Sequence, residues 1–225
     1  MRAGGGVPGR IEWGLAALTM PGQERSGDGH VIVELPKGPL VGVIDGLGHG
    51  HEASEATRTA IAAIRAHAPE PLVELMQSCH LALERTRGAV MCLASFDLAG
   101  RTMTWLCVGN ILGYVFHLDN APGPGRGRAD KARDFLVQQG GVVGFKLPNL
   151  RPAMVPFRPG DTVALTTDGI SDRFSNALDL SQPPQNIADA ILEGYSRRND
   201  DALVLVGRLA IPVKGRAAPR SGIGP

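Results

Sequence analysis

The sequence predicts an α+β protein built from two antiparallel sheets with helices packed outside them. Strand-like runs arrive as consecutive hairpins, which implies antiparallel pairing. The two clearest helices follow one another instead of alternating with strands. The chain also carries 30 Gly and 17 Pro in 225 residues, about a fifth of the total against a usual ~12%. They follow no fixed period, so they mark many turns and many short strands rather than collagen.

In chain order, apolar runs at 31–35 and 40–44 flank Pro36-Lys37-Gly38-Pro39, a hairpin signal. In 51–67, Ala53, Ala56, Ala60, Ile61 and Ile64 follow helical spacing. In 70–87, Leu72, Leu75, Met76, Cys79 and Leu83 do the same, and Pro69 and Pro71 separate the two helices. Runs at 89–96 and 102–108 flank Asp97-Leu98-Ala99-Gly100, a second hairpin. Strands at 114–117, 162–167 and 202–207 complete the set, with further helices expected just after Asp168 and over 184–197. A doubly wound sheet would alternate strand and helix, and this order does not.

Composition narrows the function. Hydrophobic residues make up 43% of the chain, enough for a core, so disorder as the main state is excluded. The net charge of +1 offers no global field for DNA, RNA or an anionic membrane, and aromatics at 4% are too few for base-stacking platforms. No apolar run reaches the ~20 residues of a spanning helix. The first ten residues lack the apolar centre of a secretion signal, so the expected compartment is the cytoplasm. Cys79, Cys92 and Cys107 sit scattered in apolar segments and read as reduced core thiols. A single domain is expected over 9–210, with flexible tails at 1–8 and 211–225. Residues 119–134 read as a surface loop; its basic part, 126–133, and the tail's Lys214, Arg216 and Arg220 are candidate docking elements for an acidic partner.

Three acidic residues share one local pattern. Asp45 follows Val41-Gly42-Val43-Ile44, Asp168 follows Val163-Ala164-Leu165-Thr166-Thr167, and Asp200 precedes the strand after it. An ionised carboxylate at the end of a buried strand is costly unless a cation meets it. Asp-Gly is also a turn former, so one such residue alone carries little. Three together point to a shared cation. The donors are all oxygen, carboxylates plus the backbone carbonyls of Gly46 and Gly169, which suits Mg²⁺ or Mn²⁺ over zinc. Gly46-Leu47-Gly48-His49-Gly50-His51 lacks the lysine of a phosphate-binding loop. Its two histidines stand as metal ligands, as an acid or as helix-entry residues, and the i, i+2 spacing disfavours a shared metal.

Val43-Ile44-Asp45-Gly46-Leu47-Gly48-His49-Gly50, Thr167-Asp168-Gly169-Ile170-Ser171-Asp172 and Asn199-Asp200-Asp201-Ala202-Leu203-Val204-Leu205-Val206 resemble the metal-dependent protein phosphatase (PPM) family, in its SpoIIE-like branch. Ser26-Gly27-Asp28, Cys107-Val108-Gly109-Asn110 and Gly140-Gly141-Val142-Val143-Gly144 match further family positions in order. The absence of a sensor domain resembles the stand-alone stressosome phosphatases of that branch. The resemblance implies a four-layer α-β-β-α sandwich with a two-metal site holding Mn²⁺ or Mg²⁺. It implies that Asp45 bridges the ions, the Gly46 carbonyl binds one, Asp168 and Asp200 bind the other, and Asp28 lies at or beside the Gly46-side ion. The roles of Asp172 and Asp201 stay open, one reading of Asp201 being that it points away along its strand. The implied activity is hydrolysis of phosphoserine or phosphothreonine on regulatory proteins by a metal-activated hydroxide, with STAS-domain stressosome proteins as partners.

The pattern also departs from the family. Leu47 stands where many members place a histidine acid, so the role stays open between His49, the catalytic candidate four residues from Asp45, and a metal-bound water. Asn110 stands where many place a third-metal aspartate, and no flap is evident between 145 and 162. A binding module of the same fold with weak turnover is the alternative. A phosphoaspartate-forming hydrolase is disfavoured, because it would need an acid at Leu47 and alternating helices. A thiol mechanism is disfavoured for want of a cation beside any cysteine.

Overall fold

Apolar residues occupy both parities of the long strands, so each strand needs cover on both faces. In β3 (Leu40–Gly46), Val41 and Val43 point to one side and Leu40 and Ile44 to the other, all buried. The structure, a computed structural model, describes residues 9–118 and 133–211. The expectations for 1–8, for most of the 119–134 loop and for the basic tail beyond 211 lie outside those residues.

Two five-stranded sheets result. One has the order β1 (Ile11–Leu18), β10 (Ala202–Leu209), β9 (Thr162–Thr166), β6 (Leu112–Phe116), β7 (Arg133–Phe135). The other runs β2 (Asp28–Val33), β3, β4 (Ala89–Asp97), β5 (Thr102–Val108), β8 (Ala153–Pro156). Every strand pair is antiparallel. The inner faces meet in one apolar layer: Val41, Val43, Cys92, Phe96 and Trp105 from one sheet pack on Val163, Leu165, Leu203 and Leu205 from the other. Phe96 sits edge-to-face with Phe157 at 5.0 Å and with Trp13 at 6.0 Å, joining the sheets at their far end. Each such buried side chain contributes roughly 1.5–3 kcal/mol.

The outer faces are covered by helices. α1 (His51–His67) and α2 (Leu72–Leu83) bury Ala56, Ala60, Ile64, Leu75, Met76 and Cys79 against Leu40, Ile44, Met91 and Leu93. α3 (Pro184–Tyr195) and a 3₁₀ turn, Asp172–Asn176, cover Ala164, Val204 and Val206. This is the expected four-layer α-β-β-α sandwich. α1 carries Glu52 in its first turn and Arg65 and His67 in its last, the favourable sense for the helix dipole.

Differences from expectation are local. α2 ends at Leu83 rather than 87, because the Thr86 amide and hydroxyl both donate to the Leu83 carbonyl and close the chain there. The helix expected after Asp168 is only the 3₁₀ turn. The end of the segment read as a loop, Arg133 and Asp134, is instead part of edge strand β7. β1 and β8 were not anticipated. All three cysteines are free and buried, and burial pushes the Cys79 and Cys107 thiols up to about 12. Among the described residues, no helix is long and apolar enough to cross a membrane.

Candidate metal centre

At one end of the sandwich the inner-face alternation switches from apolar to polar. On β3 the series Val41, Val43 continues to Asp45, and on β10 the series Leu205, Leu203 continues back to Asp201. On β9 the series Val163, Leu165 continues to Thr167, one residue before Asp168. β2 begins at Asp28, which stands directly opposite Asp45 in the β2–β3 register. Directly opposed residues share a face, so the two carboxylates face the other sheet together.

Backbone and hydroxyl donors hold this end in shape. The Thr167 hydroxyl donates to Asp28 Oδ2 at 2.7 Å and accepts from the Leu203 amide at 2.8 Å, linking both sheets. Asp201 accepts from the Met20 amide at 2.8 Å and the Gly27 amide at 2.7 Å, fixing the loop that leads into Asp28. The Thr57 hydroxyl of α1 donates to the Gly27 carbonyl. Asn110 Nδ2 donates to Asp168 Oδ2 at 2.8 Å. Asp200 Oδ1 accepts from the Asp201 amide at 2.9 Å. Gly46 packs so tightly on α1 that any Cβ would collide with the Ala53 carbonyl, which explains the glycine there.

The electrostatics are those of crowded anions. Burial, then the Asp45 charge, raise Asp28 to about 8, against the lowering effect of the Thr167 hydroxyl. Burial raises Asp45 to about 7, with Asp168, Asp200 and Asp201 adding to it in that order. Among the described residues no Lys, Arg or His is ion-paired to any of these carboxylates. An all-oxygen, multiply anionic group of this kind fits a hard divalent cation, which would favour the ionised form of each carboxylate. Among the described residues, no three His, Cys, Asp or Glu side chains stand close enough to form a ligand group by themselves. The fit therefore rests on donor chemistry and shared charge rather than on a closed cage.

The expected site residues fall into two groups. Asp28, Asp45, Asp168 and Asp200 interact electrostatically at this one end, and Gly46 lies next to Asp45. His49 is exposed on the turn before α1 and has no hydrogen bond to a carboxylate among the described residues. His51 is the first residue of α1, one of the readings left open. Asp172 is exposed at the start of the 3₁₀ turn. The Gly169 carbonyl, expected to be a free oxygen donor, accepts from the Arg197 amide at 2.8 Å. Asp201 does not point away along its strand. It is only 4% exposed and aims into the site, because its parity matches Leu203. Sequence reasoning missed Thr167, Thr57 and the clasp role of Asp201. Thr167 and Asp201 are readable in the sequence only as polar residues at inward parity, one step from Asp168 and Asp200; their bonds are not.

Comparison with known proteins agrees with this architecture. The family described as Stage II sporulation protein E (SpoIIE) matches residues 36–210. The phosphoserine phosphatase RsbX of Bacillus subtilis (strain 168) is 21% identical over 194 residues, spanning 86% of this chain and 92% of that protein. A crystal structure of RsbX in complex with magnesium superposes with a TM-score of 0.76 at 20% identity, covering 89% of this chain and 96% of that one. A chain from a study of the bacterial stressosome, a modular system adapted to control secondary messenger signalling, gives a TM-score of 0.77 at 27% identity. It covers 88% of this chain and 100% of that one.

Proposed function

The chain belongs to the SpoIIE family, and on that premise we propose that it is a metal-dependent serine/threonine protein phosphatase. The observation that carries the reading is the convergence of Asp28, Asp45, Asp168, Asp200 and Asp201 at one end of the inter-sheet layer, with Asp28 and Asp45 raised by burial and by their neighbours' charge. Asp45, Asp168, Asp200 and the Gly46 carbonyl are the proposed ligands of two divalent ions, Mn²⁺ or Mg²⁺, with Asp28 beside them. When bound, the ions supply Lewis-acid charge that lowers the pKa of the attacking water and offsets the phosphoryl oxygens.

The protein's own part is positioning and charge. Asp45, at about 7, loses its proton readily once a cation is near, so the site is poised at neutral pH. Thr167 and Asn110 hold the Asp28 and Asp168 carboxylates in fixed orientations through single hydrogen bonds. Asp201 ties the 20–27 loop that leads into Asp28 through the Met20 and Gly27 amides. His49, exposed and unbonded beside the site, is the proposed donor to the leaving serine or threonine oxygen.

The proposed substrates are phosphoserine or phosphothreonine groups on regulatory proteins, with STAS-domain stressosome components first among them. The likeness to RsbX and to a chain from a stressosome study supports that choice. Mn²⁺-dependent phosphate release from p-nitrophenyl phosphate, measured for the wild type and Asp45→Asn, tests the reaction. Loss of at least ~100-fold in the variant is expected; a full rate in the variant would contradict the role of Asp45.

A further inference from the structure

Phe145 is 84% exposed, more than any other large apolar side chain among the described residues. It does not sit on a loose loop. The turn that carries it is closed by Val142 and Lys146, whose amides and carbonyls exchange hydrogen bonds of 2.9 and 2.8 Å. The Phe145 amide also donates to the Val142 carbonyl at 3.1 Å. On one side, Val143 exchanges hydrogen bonds of 2.9 and 3.0 Å with Ala89. On the other, the Gly144 amide donates to His80 Nδ1 of α2 at 2.9 Å. Gly144 has φ +97, so only glycine makes this turn without strain. The backbone that carries Phe145 is thus held in place, so binding would order its side chain alone.

Its position relates it to the metal centre. Ala89 pairs with Gly46 on one side and Val143 on the other, so the turn lies two strand spacings from Gly46, about 10 Å across the sheet. The Leu47 amide donates to the Gly88 carbonyl at 3.0 Å, and Leu47 is itself 37% exposed. Leu47, beside the proposed ligands, and Phe145 are therefore two exposed apolar side chains on the same end of this sheet. Lys146, next to Phe145, is exposed and suits a segment bearing negative charge, whereas Arg87 is ion-paired with Glu52.

We propose that Phe145 is a substrate-docking residue: it anchors an apolar side chain of the polypeptide that carries the phosphoserine or phosphothreonine. This rests on the phosphatase reading and names how its substrate is selected. A phosphorylated segment approaching the metal centre from this side passes Phe145. An extended peptide rises ~3.3 Å per residue, so the anchored side chain lies about three to five residues from the phosphoserine.

The test compares Mn²⁺-loaded wild type, Phe145→Ala and Phe145→Leu on three substrates. These are p-nitrophenyl phosphate, a phosphoserine peptide with leucines three to five residues from the phosphate, and the same peptide with glycines there. Wild type should prefer the leucine peptide by about tenfold in kcat/KM, carried by KM. Phe145→Ala should abolish that preference, Phe145→Leu should keep part of it, and all three proteins should hydrolyse p-nitrophenyl phosphate alike. No preference in the wild type, or an equal preference in Phe145→Ala, overturns the docking role and leaves the phosphatase reading standing. Failure of the wild type to hydrolyse p-nitrophenyl phosphate and both peptides overturns both.

Discussion

Asp28 and Asp45 stand directly opposite each other across the β2–β3 ladder, two half-buried carboxyl groups sharing one face of one antiparallel pair. Like charges so placed destabilise a sheet. A protein keeps such an arrangement where a cation is to be held, and the two groups answer with raised affinities for protons.

The sign of the pH effect follows. Folded Asp28 and Asp45 titrate near 8 and 7, above the 3.8 of an unfolded aspartate, so the folded state binds more protons. Their contribution is fully favourable below about pH 4 and is lost as pH rises towards 8. In EDTA, the melting temperature should fall between pH 5.5 and pH 8, and Mn²⁺ should restore it at pH 8. Asp45→Asn should melt higher than wild type at pH 8 in EDTA. A flat profile between pH 5.5 and 8 without metal would contradict the crowding.

Thr167 serves both sheets with one hydroxyl, donating to Asp28 and accepting from Leu203. Thr167→Val keeps the shape and removes both bonds. Urea unfolding should show a loss of roughly 1–3 kcal/mol, and calorimetry should show weaker Mn²⁺ binding. Unchanged stability would mean that the bond does not hold the sheets together here.

Asn110 is a milder case. Its amide holds Asp168 from an exposed position. Asn110→Ala should weaken Mn²⁺ affinity by roughly tenfold, with stability altered by less than ~0.5 kcal/mol. Titration calorimetry and thermal melts read the two effects separately.

Gly46→Ala should be severe. The added methyl would meet the Ala53 carbonyl in the first turn of the site's neighbouring helix, where neither backbone has room. A loss of about 3 kcal/mol or more is expected, seen as a lower urea midpoint. A normally stable variant would show that α1 can slide away from β3.

The layered core was legible because buried strands and amphipathic helices leave strong periodic signals. Residues 51–67 match α1, and 102–108 match β5. The three unanticipated strands lack that signal. β1 reads Ile-Glu-Trp-Gly-Leu-Ala-Ala-Leu, without clean alternation, because Gly14 lies under α3 at Pro184 and leaves no room for a side chain. β7 and β8 are short edge strands of three and four residues, formed by pairing rather than by propensity. In the site, the aspartates were legible from their place at the ends of apolar runs. The inter-sheet bond of Thr167 to Asp28 and the clasp of Asp201 were not, since each joins residues more than a hundred positions apart. The engaged Gly169 carbonyl depended on the same long-range folding, because its partner arrives from the end of α3.

Anomalous diffraction from crystals soaked in Mn²⁺ bears most directly on the metal centre. Two peaks are expected, with the Asp45 carboxylate within ~2.2 Å of both, the Gly46 carbonyl at one, and Asp168 and Asp200 at the other. Saturating Mn²⁺ with no anomalous peak beside Asp45 would contradict the assignment of these carboxylates as ligands, and with it the reaction built on them.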